Sequence, residues 1–153
     1  MDTIFFTRVL LGILAIALVV AAIGDWRRRL IENWLTGGIA LAAPLLWWVQ
    51  GYDLWPHIAI QIMLGVALFI VFLIFFAINA MGGGDVKLIA ALGLWFPLNS
   101  MMTLLLIMSI LGGVLTVAML VHHRLTRKPG RPEIPYGIAI SAAGLWVIFQ
   151  TIS

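Results

Sequence analysis

The chain has 153 residues, 63% hydrophobic and 10% charged, with a net charge of +3. A soluble domain carries roughly 25% charged residues, and disorder needs low hydrophobicity, so this composition excludes both. With no cysteine, disulfide frameworks, thiolate zinc sites and cysteine catalysis are excluded too. The basic residues sit in short segments between apolar runs, which points to a membrane rather than to nucleic acid.

A membrane-spanning helix needs about 20 mostly apolar residues. The first apolar run covers residues 4–24 and carries Arg8 near its start, where a long side chain can snorkel to the interface. It lacks a basic leader and exceeds the apolar core of a signal peptide, so it reads as a retained span. Further runs cover 34–49, 58–80, 86–96 (closed by Pro97), 101–121 and 134 or 135 to 152. The prediction is an all-α polytopic membrane protein of six transmembrane helices, a single domain over residues 1–153 with no soluble domain and no internal repeat.

Arg27, Arg28 and Arg29 follow the first run, Lys87 opens the fourth, and Arg124, Arg127, Lys128 and Arg131 follow the fifth. Apart from Arg8, every Lys and Arg therefore falls in alternate connections, which should be cytoplasmic. Both termini are then expected outside the cytoplasm.

Carboxylates in or near a bilayer are costly, so each of the six calls for a reason. Asp2 and Asp53 fall in outer polar ends and read as solvated. Glu133 sits in a basic segment, and Glu32 follows the arginine run as a candidate partner for it. Asp25 and Asp85 stand apart. Asp25 closes the first run. Asp85 follows Gly82, Gly83 and Gly84, which are expected to break a helix and expose backbone; such backbone is tolerated at membrane depth only inside protein or beside a water-filled cavity. From Asp85 to Asn99 is about 21 Å of helix, short of a hydrocarbon core about 30 Å thick. The glycine turn is therefore expected to dip into the bilayer ahead of a short fourth helix, carrying Asp85 with it.

Asp25 and Asp85 fall on the same, cytoplasmic side. Two carboxylates across a small wet cavity cannot both ionise easily: one holds a proton and serves as general acid, while the other activates a water, the division of labour of aspartic proteases. His57, His122 and His123 read as interfacial residues rather than metal ligands, so no metal and no cofactor is implied. The rival readings are a small transporter with buried aspartates as a proton relay, and a non-catalytic assembly subunit in which they are structural.

Gly82-Gly83-Gly84-Asp85, followed by Val86-Lys87-Leu88, resembles the GxGD motif of the type IV prepilin peptidases. Asp25, followed by Arg27-Arg28-Arg29 and Ile31-Glu32-Asn33, resembles the block around that family's first catalytic aspartate, with Glu32 where the family usually has proline. Pro135-Tyr136-Gly137 resembles the element that opens its last span. Presenilin-like proteases share the GxGD idea, but the flanking blocks fit prepilin peptidases. The resemblance implies an intramembrane aspartic endopeptidase that removes the short basic leader of prepilins at the cytoplasmic face of the bacterial inner membrane, with Asp25 and Asp85 catalytic. It places Gly82, Gly83, Gly84, Lys87, Pro135, Tyr136, Gly137 and Glu32 as substrate-binding or supporting residues. The segment 25–33 is short and cysteine-free, unlike the long members, so no N-methyltransferase activity is expected. The chain resembles the short form acting on Flp, or tight-adherence, prepilins, with substrate and membrane lipid as partners. The glycine turn is expected to be mobile, so that a β-branched residue at Gly83 lowers turnover.

Overall fold

A computed structural model describes residues 3–126 and 134–153. It is all-helical, with α1 (Thr3–Arg28), α2 (Asn33–Val49), α3 (Ala59–Ala77), α4 (Gly83–Trp95), α5 (Leu98–Thr126) and α6 (Tyr136–Ile152); a short wide turn, Leu54–Ile58, leads into α3. Asp2, Arg127, Lys128, Arg131 and Glu133 lie outside the described residues.

Three stretches are long and apolar enough to cross a membrane: Thr3–Arg28, Leu54–Ala77 and Leu98–Thr126, with mean hydropathies of 2.6, 2.9 and 2.7. Most of their apolar surface points outward. Only 17% of the apolar window of the second and third stretches is buried, and Ile70, Ile74, Val114 and Val117 stand exposed. Water would not tolerate such a surface, whereas lipid does. The other helices are shorter: α2 and α6 have 17 residues and α4 has 13, or about 25 Å and 20 Å of rise.

The short α4 is the centre of the protein. It packs against α3, α2, α6 and α5, while α1 packs on α6 and α2. Val86, Leu88, Ile89 and Leu92 of α4 are fully enclosed. Its far end stops inside the protein, and neighbouring side chains satisfy the last carbonyls. Gln61 of α3 donates from Nε2 to the Gly93 and Phe96 carbonyls, at 3.2 and 2.7 Å, and Trp47 Nε1 of α2 donates to the Leu94 carbonyl at 2.9 Å. A helix too short to reach both interfaces can end at depth only when these orphan groups find partners.

Two expected boundaries move. The first helix does not end at Gly24 but runs on to Arg28, so Asp25 lies within its final turn. The fifth runs past residue 121 to Thr126 and takes in His122 and His123.

The glycines behave differently from expectation. The chain breaks earlier, at residues 78–82: Asn79 adopts φ 56°, and the N–H groups of Asn79 and Ala80 return to the carbonyls of Phe76 and Phe75 at 2.9 and 2.8 Å. This is a left-handed helix cap with asparagine in glycine's usual place. Gly82 then flanks α4 in extended conformation, and Gly83 and Gly84 are its first helical residues. The triple glycine starts a helix; it does not break one.

Candidate active site

Asp25 comes from the last turn of α1 and Asp85 from the first turn of α4. Both are almost fully buried, at 5% and 6% exposure, and they are close enough for their charges to act on each other. Among the described residues, no three His, Asp or Glu side chains converge as a metal site would need.

Local structure fixes each carboxylate. Asp85 occupies the third helical position of α4 and accepts the Gly82 N–H at 3.3 Å through Oδ2, as an acidic residue in a first turn does. Asp25 meets the start of α6, where the backbone N–H groups of Gly137 and Ile138 act on its carboxylate, with the Arg29 guanidinium also in range. Asp25 Oδ2 itself has no hydrogen-bond partner among the described residues.

Close backbone approach explains two of the glycines. A Cβ on Gly137 would stand 2.8 Å from Asp25 Oδ2 and 2.8 Å from Ile31 Cδ1. A Cβ on Gly84 would stand 3.0 Å from Ile31 Cβ and 3.2 Å from the Ile31 carbonyl oxygen. Gly82 is exposed beside Asp85, and a Cβ there would come within 3.1 Å of Asp85 Oδ2. Gly83 faces away, toward the Phe76 ring of α3.

The remaining supporting residues divide. Pro135 is buried and flanks the start of α6. Tyr136 turns toward α5, its ring over Gly112 and its hydroxyl 3.2 Å from Thr116 Oγ1. Lys87 reaches across to α2 and donates to Asn33 Oδ1 at 2.8 Å. Glu32 pairs with Arg28 at 3.2 Å and accepts from Trp34 Nε1. Its φ of −69° lies in proline's own range, so glutamate leaves this turn as proline would set it. His57 stacks on Tyr52 with ring centroids 5.4 Å apart. Gln61 and Trp47 escape a sequence reading, since two polar atoms in apolar runs leave no pattern; Ile31 is visible only as part of the block after Asp25, with no packing role legible.

A groove of about 640 Å³ opens between α2, α3 and α4. Lys87, Ala90, Ala91 and Leu94 line it from α4, with Asn33 and Lys87 as its polar end. It runs along a different face of α4 from the one carrying Asp85, and the first turn of α4 separates the two.

Outward apolar helices around a buried short one, with a carboxylate pair at its start, define a membrane-embedded helical protein with a candidate acid–base centre. Residues 12–117 match the type IV leader peptidase family, and the chain belongs to that family. Over 72 residues it is 39% identical to a prepilin leader peptidase/N-methyltransferase of Xanthomonas campestris pv. campestris, a match covering 46% of this chain and 23% of that relative. The chain thus aligns with less than a quarter of that protein's length. No solved structure matches the chain.

Proposed function

We propose that the protein is an intramembrane aspartic endopeptidase, one helical domain that removes the short leader of an Flp-like type IV prepilin at the cytoplasmic face of the bacterial inner membrane. The observation that carries this reading is the buried Asp25–Asp85 pair, one carboxylate from the last turn of α1 and the other from the first turn of α4, in a chain of the leader peptidase family. A pair that shares one proton can activate a water through the ionised member and protonate the carbonyl oxygen or leaving amine through the other. Exposed Gly82 offers an edge, bare of side chain, along which substrate backbone reaches Asp85. The apolar groove beside α4 suits the helical part of the substrate. The basic residues after α1, at the start of α4 and after α5 support a cytoplasmic site with both termini outside.

The relative's name joins methyl transfer to peptide cleavage. The short connection after Asp25 and the lack of cysteine support cleavage alone in this chain. Glu32 does not offer a free charge to a basic leader, since Arg28 and Trp34 hold it.

Co-expression with a short Flp-type prepilin tests the reading by the size shift of the pilin. The parent should cleave, while Asp25→Asn and Asp85→Asn should each lose about a thousandfold or more at unchanged membrane levels. Processing that survives both substitutions ends the aspartic mechanism and favours an assembly subunit; pH-dependent flux without cleavage favours a proton relay.

A further inference from the structure

We propose that Ile31 is a positioning residue for the aspartate pair, a wedge that sets the spacing between the start of α4, which carries Asp85, and the start of α6, which lies against Asp25. This rests on the catalytic reading of the pair. Ile31 belongs to the connection between α1 and α2, where its neighbour Leu30 is 57% exposed, yet Ile31 is only 5% exposed. It points inward, and both helix starts meet on it. The close approaches at Gly84 and Gly137 are both to Ile31: its Cβ and backbone abut Gly84, and its Cδ1 reaches Gly137 beside the Asp25 carboxylate. One side chain therefore touches the backbone of both helices at the turns that hold the pair.

The connection is pinned on both sides of the wedge. Arg29, at φ 54°, turns the chain sharply out of α1, and its N–H closes on the Asp25 carbonyl at 3.0 Å. Glu32, extended ahead of α2, is tied back to Arg28 and Trp34. Isoleucine is stiff at χ1, so the spacing it imposes has little freedom. Among the described residues, the charged groups that act on the pair are Asp25, Asp85 and Arg29, together with the polar N–H groups of Gly82, Gly137 and Ile138. None of them needs to be altered to change the spacing; trimming Ile31 does so alone.

The test compares Ile31→Ala and Ile31→Val with the parent in purified cleavage assays across pH, with the folded fraction measured for each. Ile31→Ala should lower kcat by about 10–100-fold, as a displacement of up to about 1 Å does, with KM within about threefold because the wedge does not hold substrate. The separation between the acidic and basic limbs of its pH profile should change by about half a unit or more, because the two carboxylates repel each other differently at a new distance. Ile31→Val keeps the β-branch against Gly84 and should stay within about fivefold of the parent. Three results overturn the proposal: a folded Ile31→Ala with parental kcat, a loss confined to KM, or a loss that tracks the folded fraction under an unchanged pH profile. Failure of the catalytic reading looks different, since the parent then fails to cleave or Asp25→Asn and Asp85→Asn remain active.

Discussion

The two ends of α4 treat polar atoms in opposite ways. At the far end, Gln61 and Trp47 satisfy the carbonyls of Gly93, Leu94 and Phe96. At the near end, among the described residues, Asp85 accepts one hydrogen bond, from the Gly82 N–H, and Oδ2 of Asp25 is buried with none. The far end is finished by neutral side chains, and the near end sets two buried carboxylates against helix starts. In a low-dielectric interior an open acceptor is destabilising unless a water or a substrate group completes it. The contrast separates a helix end capped by neutral side chains from one that carries carboxylates, without reference to any motif.

That contrast can be broken from either side. The largest effect beyond the aspartates themselves is expected at Gly137. Gly137→Ala puts a methyl group against Asp25 Oδ2 and Ile31, and should cut prepilin cleavage by about a hundredfold, read in the co-expression assay against membrane levels of the variant. Cleavage at the parental rate would show that the carboxylate need not stay where it is. Next comes the closed end. Gln61→Leu orphans two buried carbonyls and should cost about 2–4 kcal/mol, read by unfolding in detergent, while the folded fraction keeps its activity. Unchanged stability would mean that the far end is wet rather than closed. The smallest effect is expected for Glu32→Pro. The backbone there is already in proline's range, and the ion pair it removes involves an Arg28 side chain that is 73% exposed, so stability should move by less than about 1 kcal/mol and cleavage by less than about twofold. A collapse of either would give Glu32 a role beyond the turn.

Much of this was legible in the sequence. Composition gives the helical class, and the apolar runs give the helices in order. The rarity of carboxylates in apolar surroundings singles out Asp25 and Asp85, which the fold then brings together. The glycines were half legible. Three in a row signalled a special backbone, but propensity alone could not show that Gly83 and Gly84 enter the helix or that Asn79 turns the chain instead. Their use lies in close packing, Gly84 on Ile31 and Gly83 beside Phe76, and packing partners distant in sequence are invisible to local pattern. Gln61 was illegible for the same reason: one amide among apolar neighbours looks like noise until the carbonyls it serves are seen in place.

The embrace between α1 and α6 carries a consequence for biosynthesis. Arg8 near the beginning of α1 donates to the Ile152 carbonyl at the end of α6, a contact spanning 144 residues, and Asp25 meets its facing amides only at Gly137 and Ile138. A ribosome adds about 5–20 residues per second, so the first aspartate waits several seconds in the bilayer before the helix that completes its surroundings is made. Asp85 is added about halfway through that interval, and both carboxylates then stand without the helix start that faces Asp25. A chain that lacks α6 therefore lacks the amides that face Asp25, and the surroundings of that carboxylate are complete only once α6 has docked.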